Sequence, residues 1–401
     1  MYNSRLDGLT EYPFQRLNAL LAGVAPKVPT AEQIAMSIGE PQHRPPEMIR
    51  ELLVRNLEDW GKYPPTPGNA NFRDAVAAWA TRRYQLPAGM IDSEKNILPV
   101  AGSREALFMA AQLCIPPTKA NQPPAVLIPN PFYQVYFGAA VMNGATPVFV
   151  PATRETSFQP DYARERDDVL ARTAMAYVCT PANPQGKVAS IDRLKQMIEL
   201  ARRHDFVLIS DECYSEIYDA APPAGALEAC AALGGSLANV LVFNSLSKRS
   251  SVPGLRSGFV AGDADLIARF NKLRAHGGAV QPVPVLDTAA ALWRDEAHVE
   301  ASRAIYRGKF ADAARIFGKR FDYYTPDGGF FLWLNVGDGE RAAKALWAEG
   351  GIKVLPGAYL ARPDANGINP GAAYIRVALV HERAPTERAL TRARAILDSL
   401  S

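Results

Sequence analysis

Lys248 is the residue whose surroundings first indicate chemistry. It follows the apolar run VLVF within the stretch NSLSKRSSVPGLRS, with Ser245 and Ser247 before it and Arg256 eight positions after it. A lysine just beyond a buried strand loses hydration unless it has a use, and a Schiff base with an aldehyde cofactor is one such use. The serine hydroxyls and the guanidinium fork supply donors for a phosphate group. This stretch alone leaves two interpretations open, a solvated loop lysine or a covalent site for a phosphorylated aldehyde.

An acid at another strand end favours pyridoxal phosphate as that aldehyde. This cofactor needs a carboxylate beside its pyridine nitrogen, so that the protonated ring can accept electrons. Asp211 in FVLISDECYSEIY ends a predicted buried strand, where an unpaired carboxylate is costly. Tyr214, three residues later, and Asn183 in the loop TPANPQG can both donate to the 3′-oxygen of the ring. The alternative for Asp211 is an ordinary helix N-cap.

A third loop, in AGSREALFMAAQL, offers an anion site. The pattern changes there from strand to helix at Gly102, Ser103 and Arg104. Free backbone N–H groups at the positive end of a helix bind anions. A simple strand-to-helix turn without a ligand is the alternative interpretation.

The elements that must position these loops predict an α/β fold. Between residues 97 and 262, short apolar runs alternate with amphipathic stretches such as IDRLKQMIELARRHD. Such alternation indicates a mainly parallel sheet covered by helices on both faces, with ligands at the carboxyl ends of its strands. The seven predicted strands are NILPV, AVLIPN, TPVFVP, AMAYVCT, FVLISDE, VLVFNS and GFVAGD.

The remaining sequence predicts a second, smaller α+β domain built from both termini. The C-terminal third mixes long helical patterns with three short strand patterns, GGFFLWLNV, IKVLP and YIRVALV. A chain of 401 residues exceeds the ~250–300 at which single cores stop growing. We expect an N-terminal arm and part of the small domain over 1–46, a large cofactor-binding domain over 47–285 and the small C-terminal domain over 286–401.

Composition excludes several functional classes. The net charge of +3 comes from 44 basic and 41 acidic residues spread along the chain, which disfavours nucleic acid as a partner. No apolar run approaches the ~18 residues that span a bilayer, and no secretory signal opens the chain. The four cysteines are widely spaced, at Cys114, Cys179, Cys213 and Cys230, so we expect free thiols, no metal site and a cytoplasmic protein.

The motifs, taken together, resemble the fold-type I pyridoxal-phosphate enzymes, specifically the class I/II aminotransferases. Eight segments occur in the family's order: SIGEP, YPPTPG with FRDAV, AGSREALF, PNPFY, PANPQG, SDECYSEIY, SLSK with its following arginine, and YIRVAL. No single segment is specific, but the set spans nearly the whole chain. The resemblance implies pyridoxal 5′-phosphate as cofactor and amino and keto acids as substrates.

The resemblance also implies a role for each matched residue. Lys248 is similar to the lysine that holds the cofactor and moves the substrate Cα proton, and Asp211, Tyr214 and Asn183 to the groups around the pyridine ring. Other implied cofactor contacts are the ring-stacking Tyr133, the phosphate ligands Gly102, Ser103, Arg104, Ser245, Ser247 and Arg256, and Tyr63 from a neighbouring subunit. Arg376 and Gly39 resemble the groups at the substrate α-carboxylate. A homodimer with shared active sites follows from the role of Tyr63.

A closer resemblance is to the bacterial N-succinyldiaminopimelate aminotransferases of lysine and diaminopimelate synthesis. Segments away from the cofactor carry it, including RLDGLTEYPFQRLNALLAGV and VLPGAYLAR. It implies that glutamate and N-succinyl-2-amino-6-oxopimelate are the substrates. Both carry a distal carboxylate, for which Arg104 is the first candidate ligand and Arg44, Arg274 and His276 are weaker ones.

Three alternatives share the cofactor residues. An aspartate or aromatic aminotransferase and a carbon–sulfur β-lyase use the same scaffold, and their specificity lies in side chains that the sequence does not place. A non-catalytic, cofactor-sensing regulator is a different class. The chain begins almost directly at the family's first helix, so we expect no DNA-binding extension and disfavour the regulator.

Overall fold

A seven-stranded sheet is the centre of the fold. The computed structural model describes residues 1–55 and 57–400. The strands are β1 (Ile34–Ala35), β2 (Ile97–Val100), β3 (Ala125–Asn130), β4 (Thr146–Pro151), β5 (Thr173–Cys179), β6 (Val207–Asp211), β7 (Val240–Ser245), β8 (Gly258–Gly262), β9 (Phe331–Asn335), β10 (Ile352–Lys353), β11 (Leu355–Pro356) and β12 (Tyr374–Ala378). The large sheet has the order β2-β8-β7-β6-β5-β3-β4. It contains all seven strands predicted from the sequence.

The sheet is mostly parallel, with one reversed strand. β3 to β7 pair in parallel, whereas β8 runs antiparallel to both of its neighbours, β7 and β2. The strand directions place the last residues of β6 and β7 at one edge of the sheet. The loop that follows β5 begins at the same edge, so these three connections are available for one site.

Helices cover both faces of this sheet. They are α1 (Pro13–Leu21), α2 (Met48–Arg55), α3 (Ala70–Tyr84), α4 (Ser103–Cys114), α5 (Gln134–Met142), α6 (Asp167–Arg172), α7 (Ile191–Arg203), α8 (Ala226–Ala232), α9 (Leu246–Arg249), α10 (Ala264–Gly277), α11 (Val283–Arg294), α12 (Ala297–Phe317), α13 (Gly339–Gly350) and α14 (Arg383–Asp398). Alternate residues of β3 face opposite ways: Leu127 joins the core of α3, α7 and α11, and Ile128 that of α4 and α5. Burial on both faces explains the continuous apolar strand sequences.

A smaller α+β part joins the two ends of the chain. β11, β12 and β9 form an antiparallel sheet, and β1 pairs in parallel with β10, so the N-terminal segment is hydrogen-bonded to the C-terminal third. α12, α13 and α14 pack on these strands around one apolar core. That core also includes Tyr214 and Cys213, which follow β6, so it reaches the edge of the large sheet. In the described residues, no helix combines the length and apolarity needed to cross a membrane.

Candidate active site

One cavity of about 630 Å³ lies at the carboxyl ends of the central strands. It brings together most of the residues that the sequence singled out. Those lining it are Gly39, Ser103, Arg104, Tyr133, Asn183, Asp211, Tyr214, Ser245, Ser247, Lys248, Arg256 and Arg376. They come from seven separate stretches of the sequence, and the sheet edge explains their convergence.

Lys248 lies in the cavity on the short helix α9, which begins directly after β7. Its Nζ donates a hydrogen bond to the carbonyl oxygen of Gly39. Burial of the ammonium, together with the nearby guanidinium of Arg376, lowers the pKa of Lys248 to about 8, against the opposing effect of Glu40. A larger fraction of this amine than of an ordinary lysine is therefore unprotonated near neutral pH, and the unprotonated amine is the form that can attack a carbonyl carbon.

Asp211 is buried and held by two donors. Its Oδ2 accepts a 2.7 Å hydrogen bond from the hydroxyl of Tyr136, and Oδ1 accepts from the backbone N–H of Cys213 at 3.3 Å. Burial raises the pKa of the Asp211 carboxyl, while hydrogen bonds from Cys213 and Tyr136 act in the opposite direction. A buried carboxylate of this kind is suited to an ion pair with a protonated ring nitrogen.

Tyr136 is a site residue that the sequence reasoning missed. It is fully buried in α5 and stacks on Tyr177 with ring centroids 4.3 Å apart. The one hint in the sequence is its position three residues after Tyr133, whose ring it contacts edge-on with centroids 5.6 Å apart. Two acids at the cavity mouth, Glu40 and Glu105, were also missed.

A third group of cavity residues, near Lys248 in the sequence, supplies hydroxyl and guanidinium donors. Ser245 Oγ contacts Ser247 Oγ at 2.9 Å and also accepts from the backbone N–H of Ser247. Arg256 is fixed by its own bonds, donating to the carbonyl oxygens of Pro253 and Ala101. Gly102 does not line the cavity but is needed for this arrangement, because a Cβ there would lie 2.0 Å from Arg256 Nη2. Its φ of +89° also favours glycine.

Ser103 and Arg104 line the cavity from the start of α4. The Ser103 hydroxyl lies 3.0 Å from the thiol of Cys213. The Arg104 Nε donates to the hydroxyl of Tyr133 at 2.9 Å, so the two side chains predicted for different roles are coupled. Among the described residues the Nη atoms of Arg104 have no hydrogen-bond partner, so they are available to a ligand in the cavity.

Arg376 lies on β12, on the opposite side of the cavity. It donates to Asn183 Oδ1 at 2.8 Å and to the carbonyl oxygen of Ser37 at 2.7 Å, and its guanidinium covers the ring of Phe331. Burial lowers its pKa to about 10, so the cation persists at neutral pH. Its buried Nε has no hydrogen-bond partner among residues 1–55 and 57–400. This unpaired donor is a position where an anionic ligand would fit.

Four other predicted residues lie elsewhere. Arg274 is buried and donates to the carbonyl oxygens of Pro99 and Ala279, so its guanidinium is used within the fold. Arg44 and His276 are exposed and do not line the cavity. Tyr63 is fully exposed, at 102%, and makes no contact with the cavity of its own chain. Among the four candidate ligands of a distal carboxylate, which are Arg104, Arg44, Arg274 and His276, Arg104 alone lines the cavity.

Comparison with known proteins identifies the family. The family model "Aminotransferase class I and II" matches residues 31–392. The chain belongs to the class I and II aminotransferases. A crystal structure of an aminotransferase from Neisseria meningitidis Z2491 is 41% identical, with a TM-score of 0.92 over 98% of this chain and 99% of that one. These relatives and the geometry together establish an aspartate aminotransferase-like α/β fold.

Curated relatives of this aminotransferase are more distant. An LL-diaminopimelate aminotransferase from Aquifex aeolicus is 30% identical over 90% of each chain. A 4-dedimethylamino-4-oxo-anhydrotetracycline transaminase from Streptomyces rimosus is 31% identical over 86% of this chain and 88% of that one. Their names differ in substrate, so membership of the family establishes transamination and not the molecule that is aminated.

Enzymes of this class depend on pyridoxal 5′-phosphate, and this aminotransferase has residues that fit it. The partly buried lysine with a lowered pKa, the buried carboxylate, and the hydroxyl and guanidinium donors provide the three kinds of group that this cofactor requires. The unpaired Nε of Arg376 adds a donor for a substrate carboxylate.

Proposed function

We propose that this enzyme transfers the amino group of glutamate to N-succinyl-2-amino-6-oxopimelate, giving N-succinyl-diaminopimelate and 2-oxoglutarate in the diaminopimelate route to lysine. Arg104 at the cavity mouth is the observation that carries this proposal. Both substrates have a carboxylate beyond the one next to the reacting carbon, and Arg104 is a second cation besides Arg376. The sequence resemblance to the N-succinyldiaminopimelate aminotransferases supports the same substrate.

The mechanism that we propose assigns each residue one task. When bound, pyridoxal phosphate supplies an aldehyde carbon and an electron-accepting ring. Lys248 would remove the proton from the Cα of the amino donor and, in the reverse half-reaction, supply a proton to the Cα of the acceptor; its lowered pKa raises the fraction of amine that can act as the base. Arg376 binds the α-carboxylate, and Gly39 provides backbone at the same place.

The cofactor contacts follow from the same geometry. With the cofactor bound, Asp211, held by Tyr136, would keep the pyridine nitrogen protonated, Asn183 and Tyr214 would donate to the 3′-oxygen, and Tyr133 would cover the ring. We assign the phosphate to Gly102, Ser103, Arg104, Ser245, Ser247 and Arg256. The side chain of Arg104 remains free for the distal carboxylate if its backbone N–H serves the phosphate.

We infer a homodimer in which Tyr63 completes the partner's phosphate site. Tyr63 is fully exposed, and three apolar side chains at three-residue intervals before it are also exposed, Val54 at 59%, Leu57 at 61% and Trp60 at 49%. Several large apolar side chains exposed within one short segment favour a protein interface there. Tyr63→Phe is expected to weaken cofactor binding without changing the sedimentation coefficient of the dimer.

LL-diaminopimelate is a second candidate substrate. Its distal end carries an ammonium group besides a carboxylate, and Glu40 and Glu105 line the cavity mouth beside Arg104. These acids match a cation, whereas N-succinyl substrates carry a neutral amide at that nitrogen. Relatives named LL-diaminopimelate aminotransferase favour the same alternative.

A substrate panel separates the two candidates. Initial rates would be compared for N-succinyl-diaminopimelate, LL-diaminopimelate and alanine with 2-oxoglutarate, in the parent enzyme and in Arg104→Ala and Glu105→Gln. Loss of a charge-assisted hydrogen bond of about 1.5–3 kcal/mol should raise the KM of the N-succinyl substrate in Arg104→Ala roughly 10- to 100-fold, with little change for alanine. Activity on LL-diaminopimelate alone, lost in Glu105→Gln, would replace our first proposal by the second.

A further inference from the structure

A second cavity, of about 790 Å³, lies away from Lys248. It is bounded by the turn before Gln159, the start of α7 and the segment 319–327. Nothing in the proposed transamination uses it. Its size matches that of small-molecule sites, and most of the residues that line it are polar or charged.

Cations exceed carboxylates in this lining. The four cations are Arg154, Lys187, Arg193 and Lys319, against the two acids Asp322 and Asp327. Lys187 pairs with Asp327 at 2.9 Å and Arg154 with Asp322 at 3.4 Å, which leaves two cations without an acid inside the cavity. Arg193 reaches Asp161 outside it at 3.3 Å, and in the described part of the chain Lys319 has no carboxylate within 4.0 Å. The local field therefore favours an anion.

Gln159 provides an independent observation. Gln159 lines the cavity and is only 8% exposed. Neither Nε2 nor Oε1 of its side chain has a hydrogen-bond partner among the described residues. A buried amide without hydrogen-bond partners is costly, so its retention calls for a ligand or a water molecule. The 13-residue helix α7 also starts here, with Ser190 as its N-cap, and directs its positive end toward the same space.

We propose that this cavity is a second ligand site, which binds a small oxyanion bearing a carboxylate or phosphate group between Lys319, Arg193 and the amide of Gln159. Lys319 supplies the unpaired positive charge, Arg193 adds a guanidinium that also contacts Asp161, and Nε2 of Gln159 donates one hydrogen bond to the anion. Asp322 and Asp327 remain paired with their own cations and do not oppose it. The proposal is independent of which amino acid the enzyme transaminates.

The test is isothermal titration calorimetry on the holoenzyme at constant ionic strength, with inorganic phosphate and malonate as separate probes. We expect saturable binding in the millimolar range for at least one probe, and the stronger of the two identifies the preferred oxyanion. Gln159→Leu and Lys319→Glu should each weaken that binding roughly tenfold or more. The control is Lys195→Glu, which reverses a charge on helix α7 at a position that does not line the cavity. This variant should bind the probe as tightly as the parent does.

Folding effects are separated by thermal unfolding without ligand. Gln159→Leu removes an unpaired buried amide, so its Tm should equal or exceed that of the parent while its affinity falls. Absence of saturable binding by either probe would overturn the proposal. Equal affinities for the parent, Gln159→Leu and Lys319→Glu would overturn it too, because the ion would then bind elsewhere.

Discussion

Tyr136→Phe tests how the buried acid beneath the cofactor is controlled. The substitution removes one hydroxyl, and with it the 2.7 Å hydrogen bond to Asp211 Oδ2, while keeping the ring that stacks on Tyr177. A hydrogen bond to a charged group contributes about 1.5–3 kcal/mol, and each 1.4 kcal/mol is a factor of ten in rate. We therefore expect kcat to fall roughly 10- to 100-fold, with a smaller change in KM.

The pH dependence identifies the cause. Burial already raises the pKa of Asp211, and the Tyr136 hydroxyl lowers it by stabilising the carboxylate. Removing the hydroxyl therefore raises that pKa, so the carboxylate is protonated at higher pH. The acidic limb of the kcat profile, measured by stopped-flow half-reactions, should move toward higher pH in Tyr136→Phe.

Tyr177→Phe is the matched control. Tyr177 is equally buried and belongs to the same stacked pair, but its hydroxyl donates to the carbonyl oxygen of Leu107 and not to Asp211. Its loss should affect stability without moving the acidic limb. The reasoning fails if the two variants have the same pH profile, or if Tyr136→Phe retains kcat within twofold of the parent.

Three further predictions concern the cofactor site and the smaller core. The pKa of Lys248 is about 8, so the rate of cofactor attachment to the apoenzyme, followed by absorbance, should rise from pH 7 to pH 9 and then level off; a rate independent of pH would contradict it. Gly102→Ala should weaken cofactor affinity roughly tenfold or more, because the added Cβ displaces Arg256 from the proposed phosphate site. Gly89→Ala is the control: Gly89 has a φ of +76° and no atom within 4 Å of an added Cβ, so this substitution should affect only stability. Equal cofactor affinities of the two variants in equilibrium titrations would refute the steric argument. Lys309 is fully buried, its Nζ lies 2.7 Å from Nε2 of His43, and burial lowers its pKa to about 7. Because the unfolded chain keeps this proton up to the ordinary lysine pKa, the free energy of unfolding should rise with pH above 7. Urea titrations of Lys309→Met at several pH values should lose this dependence.

The central sheet was predictable because burial on both faces leaves a strong pattern. Each of the seven strands is an apolar run bounded by turn residues. The ends of β5, β6 and β7, or the residues just beyond them, carry Asn183, Asp211 and Lys248. The direction of β8 was not predictable, since an apolar strand has the same composition whether it runs parallel or antiparallel. Strand pairing depends on contacts between segments distant in sequence.

The limits of the site prediction have a similar cause. Arg274 and Arg104 have the same chemistry in the sequence, but the fold directs Arg274 to the carbonyl oxygen of Pro99 and Arg104 to the cavity mouth. Tyr136 was missed because its role requires the helix phase of α5 relative to β6. Glu40 and Glu105 adjoin motif residues, yet only the assembled cavity brings both acids beside Arg104.

The covalent role of Lys248 is the claim on which the account depends, and borohydride reduction of the holoenzyme tests it most directly. Reduction followed by proteolysis and mass spectrometry should find the pyridoxyl group on one peptide, attached to Lys248, and Lys248→Ala should yield no labelled peptide and no transamination. A stoichiometric label on another lysine, or transamination by Lys248→Ala at the parent rate, would contradict the account.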